Sequence, residues 1–441
     1  MGTDLTLDRV RRLGLAIAAT LVRDSIREAV VGRDVRLSGD SFFEALSEGL
    51  MKGGVTVIDV GVVPTPVFYF AAKVWGYRGG VMITASHNPP EFNGFKVLRG
   101  EGTIYGADIR ELKDIADGNL FEQGTGRLER RDAKPEYIDY CATHITLARP
   151  VPFAADGGNG TAGLVAGDLF ARLGVKPVEL FMEPDGTFPN HHPDPTIPEN
   201  LADLKKTVLA QKLALGVSFD GDADRLGVID DRGDILWGDR LLALFARDVL
   251  EKHPGATVIF EVKCSQSLAE DIAKHGGVPV MWKTGHSLIK KKMRETGALL
   301  AGEMSGHLFF ADRYFGYDDA LYAACRLLEI ASRSSAPLSA LLSDLPRFES
   351  TPEIRLDCAD DRKFDVVRDV RDHFKKDHEV IDVDGARIQF QGGWGLVRAS
   401  NTQPALVLRF EASTWERLIA VKREIAGVLA RHIDVSKLLE E

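Results

Sequence analysis

Three aspartates alternate with two small residues in Asp220-Gly221-Asp222-Ala223-Asp224, and Arg225 follows directly. In an extended or looped backbone this spacing lets the three carboxylates face one point. Gly221 and Ala223 leave room for the chain to curl. Three unpaired carboxylates converging on one point are costly, so their natural partner is a hard divalent cation such as Mg²⁺ or Mn²⁺. No His or Cys lies near them in sequence, which argues against zinc. An EF-hand does not fit: its bidentate Glu would fall at Asp231, and no helix–loop–helix pattern surrounds the motif.

Three further polar loops carry groups of a related kind. Thr84-Ala85-Ser86-His87-Asn88-Pro89-Pro90 follows the apolar run Gly79–Ile83. The prolines end any strand there, so the Ser86 hydroxyl sits at a strand mouth, where sheets of this kind bind ligands. In Gly302-Glu303-Met304-Ser305-Gly306-His307 the residues Glu303, Ser305 and His307 alternate, and a carboxylate beside a hydroxyl suits vicinal sugar hydroxyls. Arg398-Ala399-Ser400-Asn401-Thr402-Gln403-Pro404, with Arg409 beyond it, offers Arg, hydroxyl, amide and backbone N–H groups to a phosphate. Singly, each loop has a plainer reading: a turn-capping serine, a solvated acidic loop, a surface acid, a polar hairpin. Together they supply a nucleophile, a cation site, a sugar site and a phosphate site.

The elements that position these loops repeat. Strand, polar loop, helix, glycine stop and strand recur three times. The first copy is Ala29–Asp34, a helix over Ser41–Met51, Gly53-Gly54 and Val55–Val60. The second is Val151–Asp156, a helix over Thr161–Leu173, Gly174 and Val175 onwards. The third is Ala256–Lys263, a helix over Ser267–His275, Gly276-Gly277 and Val278–Trp282. Each is a βαβ unit. Beyond Pro346 the pattern becomes an antiparallel one: strands Ile354–Asp357, Val380–Val383, Ala386–Phe390, Leu396–Ser400 and Ala405–Phe410, with helices Arg362–Lys375 and Thr414–Ala430. The expected fold class is α/β: three similar mixed α/β domains and a C-terminal α+β domain around a central cleft. The boundaries predicted are 1–134 (serine loop), 135–235 (acidic loop), 236–347 (sugar loop) and 348–441 (phosphate loop).

Composition sets limits. The chain has 441 residues, enough for roughly three to four domains. A formal net charge of -10 argues against nucleic acid or an anionic membrane as partner. The four cysteines, Cys141, Cys264, Cys325 and Cys358, are far apart and read as reduced core thiols of a cytoplasmic protein. No apolar run approaches the roughly 18 residues of a membrane-spanning helix.

The four motifs, in this order and across the whole chain, resemble the phosphohexomutase superfamily, and within it the bacterial phosphomannomutase/phosphoglucomutase group. The resemblance implies three related α/β domains and a fourth α+β domain. It implies that Ser86 is the phosphorylated serine and that Asp220, Asp222 and Asp224 hold Mg²⁺ with a phosphate oxygen of Ser86. Arg225 and His87 would support the phosphoserine, and Lys96 and His307 would do general acid/base work. Glu303 and Ser305 would take the sugar 3- and 4-hydroxyls. Arg398, Ser400, Asn401 and Thr402 would grip the unreacting phosphate, with Lys263 and His286 as further substrate positions. The implied reaction moves a phosphoryl group between O1 and O6 of mannose and glucose phosphates. Its intermediate and activator would be glucose 1,6-bisphosphate or mannose 1,6-bisphosphate, and the protein a monomer or weak dimer. A phosphoglucosamine mutase is the neighbouring alternative, but that group usually carries Gln where this chain has Met304. Members also usually open with a strand of Phe-Arg-x-Tyr-Asp-Ile-Arg-Gly type. This chain passes from Met1–Thr6 into a helix over Leu7–Val22, so that strand is expected to be missing. A sugar-phosphate binder weakened by its loss is the third reading.

Overall fold

The computed structural model describes residues 5–121, 123–400 and 403–440. Its first three sheets share one plan. In the first, Glu28–Arg33 lies between parallel neighbours Thr56–Val62 and Gly79–Ile83. In the second, Phe153–Asp156 lies between Val178–Leu180 and Leu215–Phe219. In the third, Thr257–Glu261 lies between Val278–Trp282 and Leu300–Gly302. Each sheet then adds an antiparallel return strand beside the last of these: Phe95–Arg99, Leu226–Asp230 and Leu308–Phe310. The loops carrying Ser86, the three aspartates and Glu303 are therefore one element used three times. Each is the turn between the third parallel strand and its antiparallel return.

Burial explains why these strands form. Every residue of Gly79–Ile83, Leu215–Phe219 and Leu226–Asp230 is buried, as expected for sheets covered on both faces. Helices follow their capping signals. Leu7–Arg23 starts at Thr6, whose hydroxyl accepts from the Arg9 N–H, and Gln266–Lys274 starts at Ser265. The helix expected over Thr161–Leu173 is broken. A 3-10 turn covers Thr161–Leu164, and the α-helix begins only at Ala166. Met182 crosses at Gly163 so closely that a Cβ there would lie 1.7 Å from its carbonyl oxygen. The helix Ala320–Arg333 is buried on nearly every side.

The fourth domain is an antiparallel sheet in the order Glu349–Ser350, Ala405–Ala412, Gly393–Ala399, Ala386–Phe390, Val380–Ile381, with Ile354–Asp357 also paired to Ala405–Ala412. Helices Lys363–Phe374 and Trp415–Leu429 pack on it. One apolar core runs through the first three domains, whereas the fourth has its own, and a small patch of Val262, Trp394 and Leu396 joins domain four to domain three. Leu236 pairs with Val228, so the second sheet reaches one residue past the boundary drawn at 235. All four cysteines are free and buried. Among the described residues no helix is long and apolar enough to cross a membrane.

Candidate active site

The serine loop is pinned from below by an arginine that sequence reading missed. Arg36, in the loop after Glu28–Arg33, has a fully buried side chain. Its guanidinium donates to the carbonyls of Ser86 (2.9 Å), Asn88 (2.5 Å), Pro89 (2.6 Å) and Phe92 (2.9 Å), and to Asp34 Oδ2 at 3.1 Å. Held this way, Ser86 keeps a left-handed backbone with φ 51°, uncommon for a residue with a side chain. Its N–H donates to Thr84 Oγ1 at 2.9 Å. Its hydroxyl donates to Asp220 Oδ2 at 2.6 Å and lies 3.2 Å from His87 Nδ1.

The acidic loop curls as its spacing implies. Asp220 Oδ1 accepts the N–H groups of Asp224 (3.0 Å) and Arg225 (3.1 Å). A Cβ on Gly221 would lie 2.4 Å from the Ser86 carbonyl oxygen, so only glycine allows the two loops to meet. All three aspartates have no exposed surface. Asp222 Oδ2 accepts from Thr65 Oγ1, and Lys96 Nζ reaches it at 2.6 Å and Asp224 Oδ2 at 2.5 Å. Burial opposes the Lys96 charge, but Asp222 and Asp224 outweigh it and hold its pKa well above the ordinary lysine value. Burial, with Asp224 and Asp222 as like charges, pushes Asp220 well up. Asp222 Oδ1 and Asp224 Oδ1 are buried without a hydrogen-bond partner. An oxygen donor set with two unpartnered carboxylate oxygens, its atoms within 4.8 Å of one another, fits a hard divalent cation.

Folding brings a histidine to this cluster that lies far away in sequence. Arg225 and His307 form an antiparallel bridge between domains two and three. The Arg225 Nε–H donates to His307 Nε2 at 3.0 Å, which leaves the ring proton on Nδ1. That nitrogen lies 3.2 Å from Asp318 Oδ2 and 3.5 Å from Asp224 Oδ1. Burial lowers the His307 pKa, but Asp224 and Asp318 raise it further, so the net shift is upward. Asp318, absent from the sequence reading, has no exposed surface and also takes Lys290 at 2.9 Å and His286 at 3.6 Å. His286 stacks on His307 with ring centroids 5.8 Å apart. His87 is pulled down to about 4 by burial and by the Arg225 charge, and lies 4.0 Å from Asp194.

The sugar and phosphate loops are tied together behind their polar ends. Glu303 Oε1 accepts the Gly285 N–H at 2.6 Å, next to His286. Fully buried Glu261, also missed, accepts from the Lys263 N–H (2.8 Å), Thr284 Oγ1 (2.9 Å) and the Met304 N–H (3.2 Å). It thus anchors the three loops that carry Lys263, His286 and Glu303. Lys263 Nζ pairs with Glu353 at 3.1 Å and lies within electrostatic reach of Glu303 and Arg398. Arg398 Nε donates to Asp384 Oδ2 at 3.1 Å, and the same oxygen accepts the Thr284 N–H at 3.1 Å. Ser305 is half-buried at its loop tip, and Ser400 Oγ accepts the Gln403 N–H at 3.2 Å. Asn401 and Thr402 lie outside the described residues. Arg409 donates to the Lys263 carbonyl at 2.8 Å.

Sequence profiles of four domains match along the chain: phosphoglucomutase/phosphomannomutase alpha/beta/alpha domain I over residues 1–122, domain II over 135–233, domain III over 237–348, and the C-terminal domain over 353–428. A phosphomannomutase/phosphoglucomutase of Pseudomonas aeruginosa is 47% identical over 423 residues, 96% of this chain and 91% of that one. A phosphoglucomutase of Neisseria gonorrhoeae is 46% identical over 434 residues, covering 97% of this chain and 94% of its own. The crystal structure of a phosphoglucomutase/phosphomannomutase family protein from Burkholderia thailandensis superposes with a TM-score of 0.93 at 44% identity, covering 98% of this chain and 96% of that one.

Proposed function

The chain belongs to the phosphoglucomutase/phosphomannomutase family, and from that membership we propose that Ser86 is the residue through which it moves phosphoryl groups. It is an isomerase of carbohydrate metabolism that transfers a phosphoryl group reversibly between O1 and O6 of glucose and mannose phosphates. The observation that best supports the serine's role is the Ser86 hydroxyl 2.6 Å from Asp220, beside two buried carboxylate oxygens that have no partner.

In the proposed cycle Ser86 starts phosphorylated. A hydroxyl of the bound hexose phosphate attacks the phosphorus, the bond from phosphorus to Ser86 Oγ breaks, and a hexose 1,6-bisphosphate forms. The hydroxyl proton leaves to a base and the seryl oxygen regains one, so only a phosphoryl group and a proton move. The bisphosphate then turns over, and its other phosphoryl group returns to Ser86. Such transfer is mostly positioning and charge stabilisation. A Mg²⁺ ion on Asp220, Asp222 and Asp224 would offset the phosphate charge. Lys96 carries its proton where it lies, and His307, fixed between Arg225 and Asp318, is the second acid/base group. His87 lies beside the seryl oxygen, and Arg225 would help to hold its phosphate. Glu303, Ser305, Lys263 and His286 take the sugar, and Arg398 with Ser400, Asn401 and Thr402 takes the distal phosphate. Glucose 1,6-bisphosphate or its mannose counterpart would prime unphosphorylated enzyme. One chain supplies every group named, which suits a monomer or weak dimer, and four free cysteines suit the reducing cytoplasm.

The test is a coupled assay with Mg²⁺, a trace of glucose 1,6-bisphosphate, and glucose 1-phosphate or mannose 1-phosphate. Turnover of both sugars that disappears in Ser86→Ala is expected. A folded wild-type protein that turns over neither would refute the assignment.

A further inference from the structure

The patch joining domain four to domain three is built around an arginine with no exposed surface. Arg387 lies on the strand Ala386–Phe390 of domain four, its guanidinium 3.7 Å from the centre of the Trp394 ring. Its Nη1 donates to the carbonyl oxygens of Val262 and Cys264, both at 2.7 Å. Arg409, on Ala405–Ala412, takes the carbonyl between them, that of Lys263, at 2.8 Å. Glu411 Oε1 completes the contact. It accepts the Gln266 N–H at 3.0 Å and the Trp394 Nε1–H at 2.8 Å. Three consecutive carbonyls of one domain-three loop are held by two arginines of domain four.

A buried cation is expensive, so its placement needs a reason. Burial draws the Arg387 pKa down to about 10, which still leaves it charged at neutral pH. Its charge is met by two carbonyls, the face of Trp394 and the nearby Glu411 carboxylate. The loop it holds ends the central strand Thr257–Glu261 and carries Lys263. Glu261 fixes the Lys263 backbone from the N–H side, and Arg409 fixes it from the carbonyl side. The backbone under the Lys263 side chain has little freedom left.

We infer that Arg387 and Arg409 are positioning residues for Lys263, acting through its backbone. This rests on the reading of Lys263 as a substrate-binding residue. By this device domain four sets the distance between its own Arg398, on the phosphate loop, and Lys263 in domain three.

The experiment compares kcat and KM for glucose 1-phosphate in the full chain for Arg387→Lys, Arg409→Gln, Lys263→Ala and the two arginine–lysine double variants. Each arginine variant is expected to raise KM about tenfold with kcat within about threefold, the pattern of lost binding rather than lost chemistry. In the Lys263→Ala background the same changes should move KM less than about twofold, because the group they position is gone. Equal KM increases with and without Lys263, or unchanged KM in well-folded arginine variants, would overturn the inference while leaving the Lys263 reading intact. An inert Lys263→Ala would remove that reading and the inference with it. If Arg387→Lys does not fold, Arg409→Gln carries the test, since it leaves both Arg387 bonds in place.

Discussion

The Ser86 hydroxyl donates to Asp220 Oδ2 at 2.6 Å, across an interface between two domains and 134 residues of chain. A serine poised against a buried carboxylate is ready to lose its proton when it takes a phosphoryl group. Ser86→Ala should therefore lower turnover of both sugars by about 10⁴-fold or more, as removal of a nucleophile does. Wild type incubated with glucose 1,6-bisphosphate should gain the mass of one phosphoryl group on the Ser86 peptide. A phosphoryl group found elsewhere, or residual turnover near wild type, would reject the assignment.

Lys96 stands between two carboxylates whose outer oxygens have no hydrogen-bond partner. Removing its charge in Lys96→Met leaves those carboxylates uncompensated, a loss of about 3–5 kcal/mol for a buried pair. A divalent cation can restore the balance. The variant, stripped of metal by chelation, should melt several degrees below wild type and recover most of the difference in Mg²⁺. Calorimetry with and without Mg²⁺ reads this directly. The absence of a Mg²⁺ shift in either protein would mean that the cation does not sit among these aspartates. Chelation should also abolish turnover in wild type.

What could be read from the sequence was local. The acidic spacing at Asp220–Asp224, the prolines after Ser86 and the glycine stops after each helix all act on their own neighbours. They placed the four loops at strand ends. The residues that hold those loops gave no such signal. Arg36 meets Ser86 across 50 residues, and Arg387 meets Val262 across 125. Asp318 gathers His286, Lys290 and His307 only once helix His286–Thr296 has folded back. The inference that no histidine lies near the aspartates holds along the chain and fails in space, where His307 Nδ1 is 3.5 Å from Asp224. The return strands Phe95–Arg99 and Leu226–Asp230, each opening directly out of a polar loop, were missed.

Asp319 gives a pH signature of stability rather than of catalysis. It accepts from the hydroxyls of Tyr137 at 3.0 Å and Tyr314 at 2.7 Å and from the Tyr322 N–H at 2.8 Å, and burial raises its pKa from 3.8 to about 6. Between those values the folded state keeps a proton that the unfolded state has lost. Stability from this group is therefore complete at low pH and is lost as pH rises through about 6. The loss amounts to at most about 3 kcal/mol. Denaturation of wild type and Asp319→Asn should show wild type losing ground to the variant from about pH 4 to pH 6 and no further change above. A constant difference, or one with the opposite slope, would contradict the raised pKa.

The proposed sugar-binding role of Glu303 makes a prediction about sugar discrimination. One carboxylate oxygen is committed to the Gly285 N–H at 2.6 Å, so the side chain cannot swing to suit different substrates. Burial raises its pKa above the ordinary carboxylate value. If Glu303 takes the 3- and 4-hydroxyls as proposed, a fixed acceptor there is blind to carbon 2, where glucose and mannose differ. Wild-type kcat/KM for the two sugar 1-phosphates should therefore agree within about tenfold, roughly one good contact in free energy. Glu303→Gln keeps an oxygen for Gly285 but loses a charged acceptor, which is worth about 1.5–3 kcal/mol. Both sugars should then lose about 10- to 200-fold in kcat/KM, with the ratio between them unchanged within about threefold. A variant that impairs one sugar and spares the other would show that Glu303 reads carbon 2 after all, and the dual specificity would need another source.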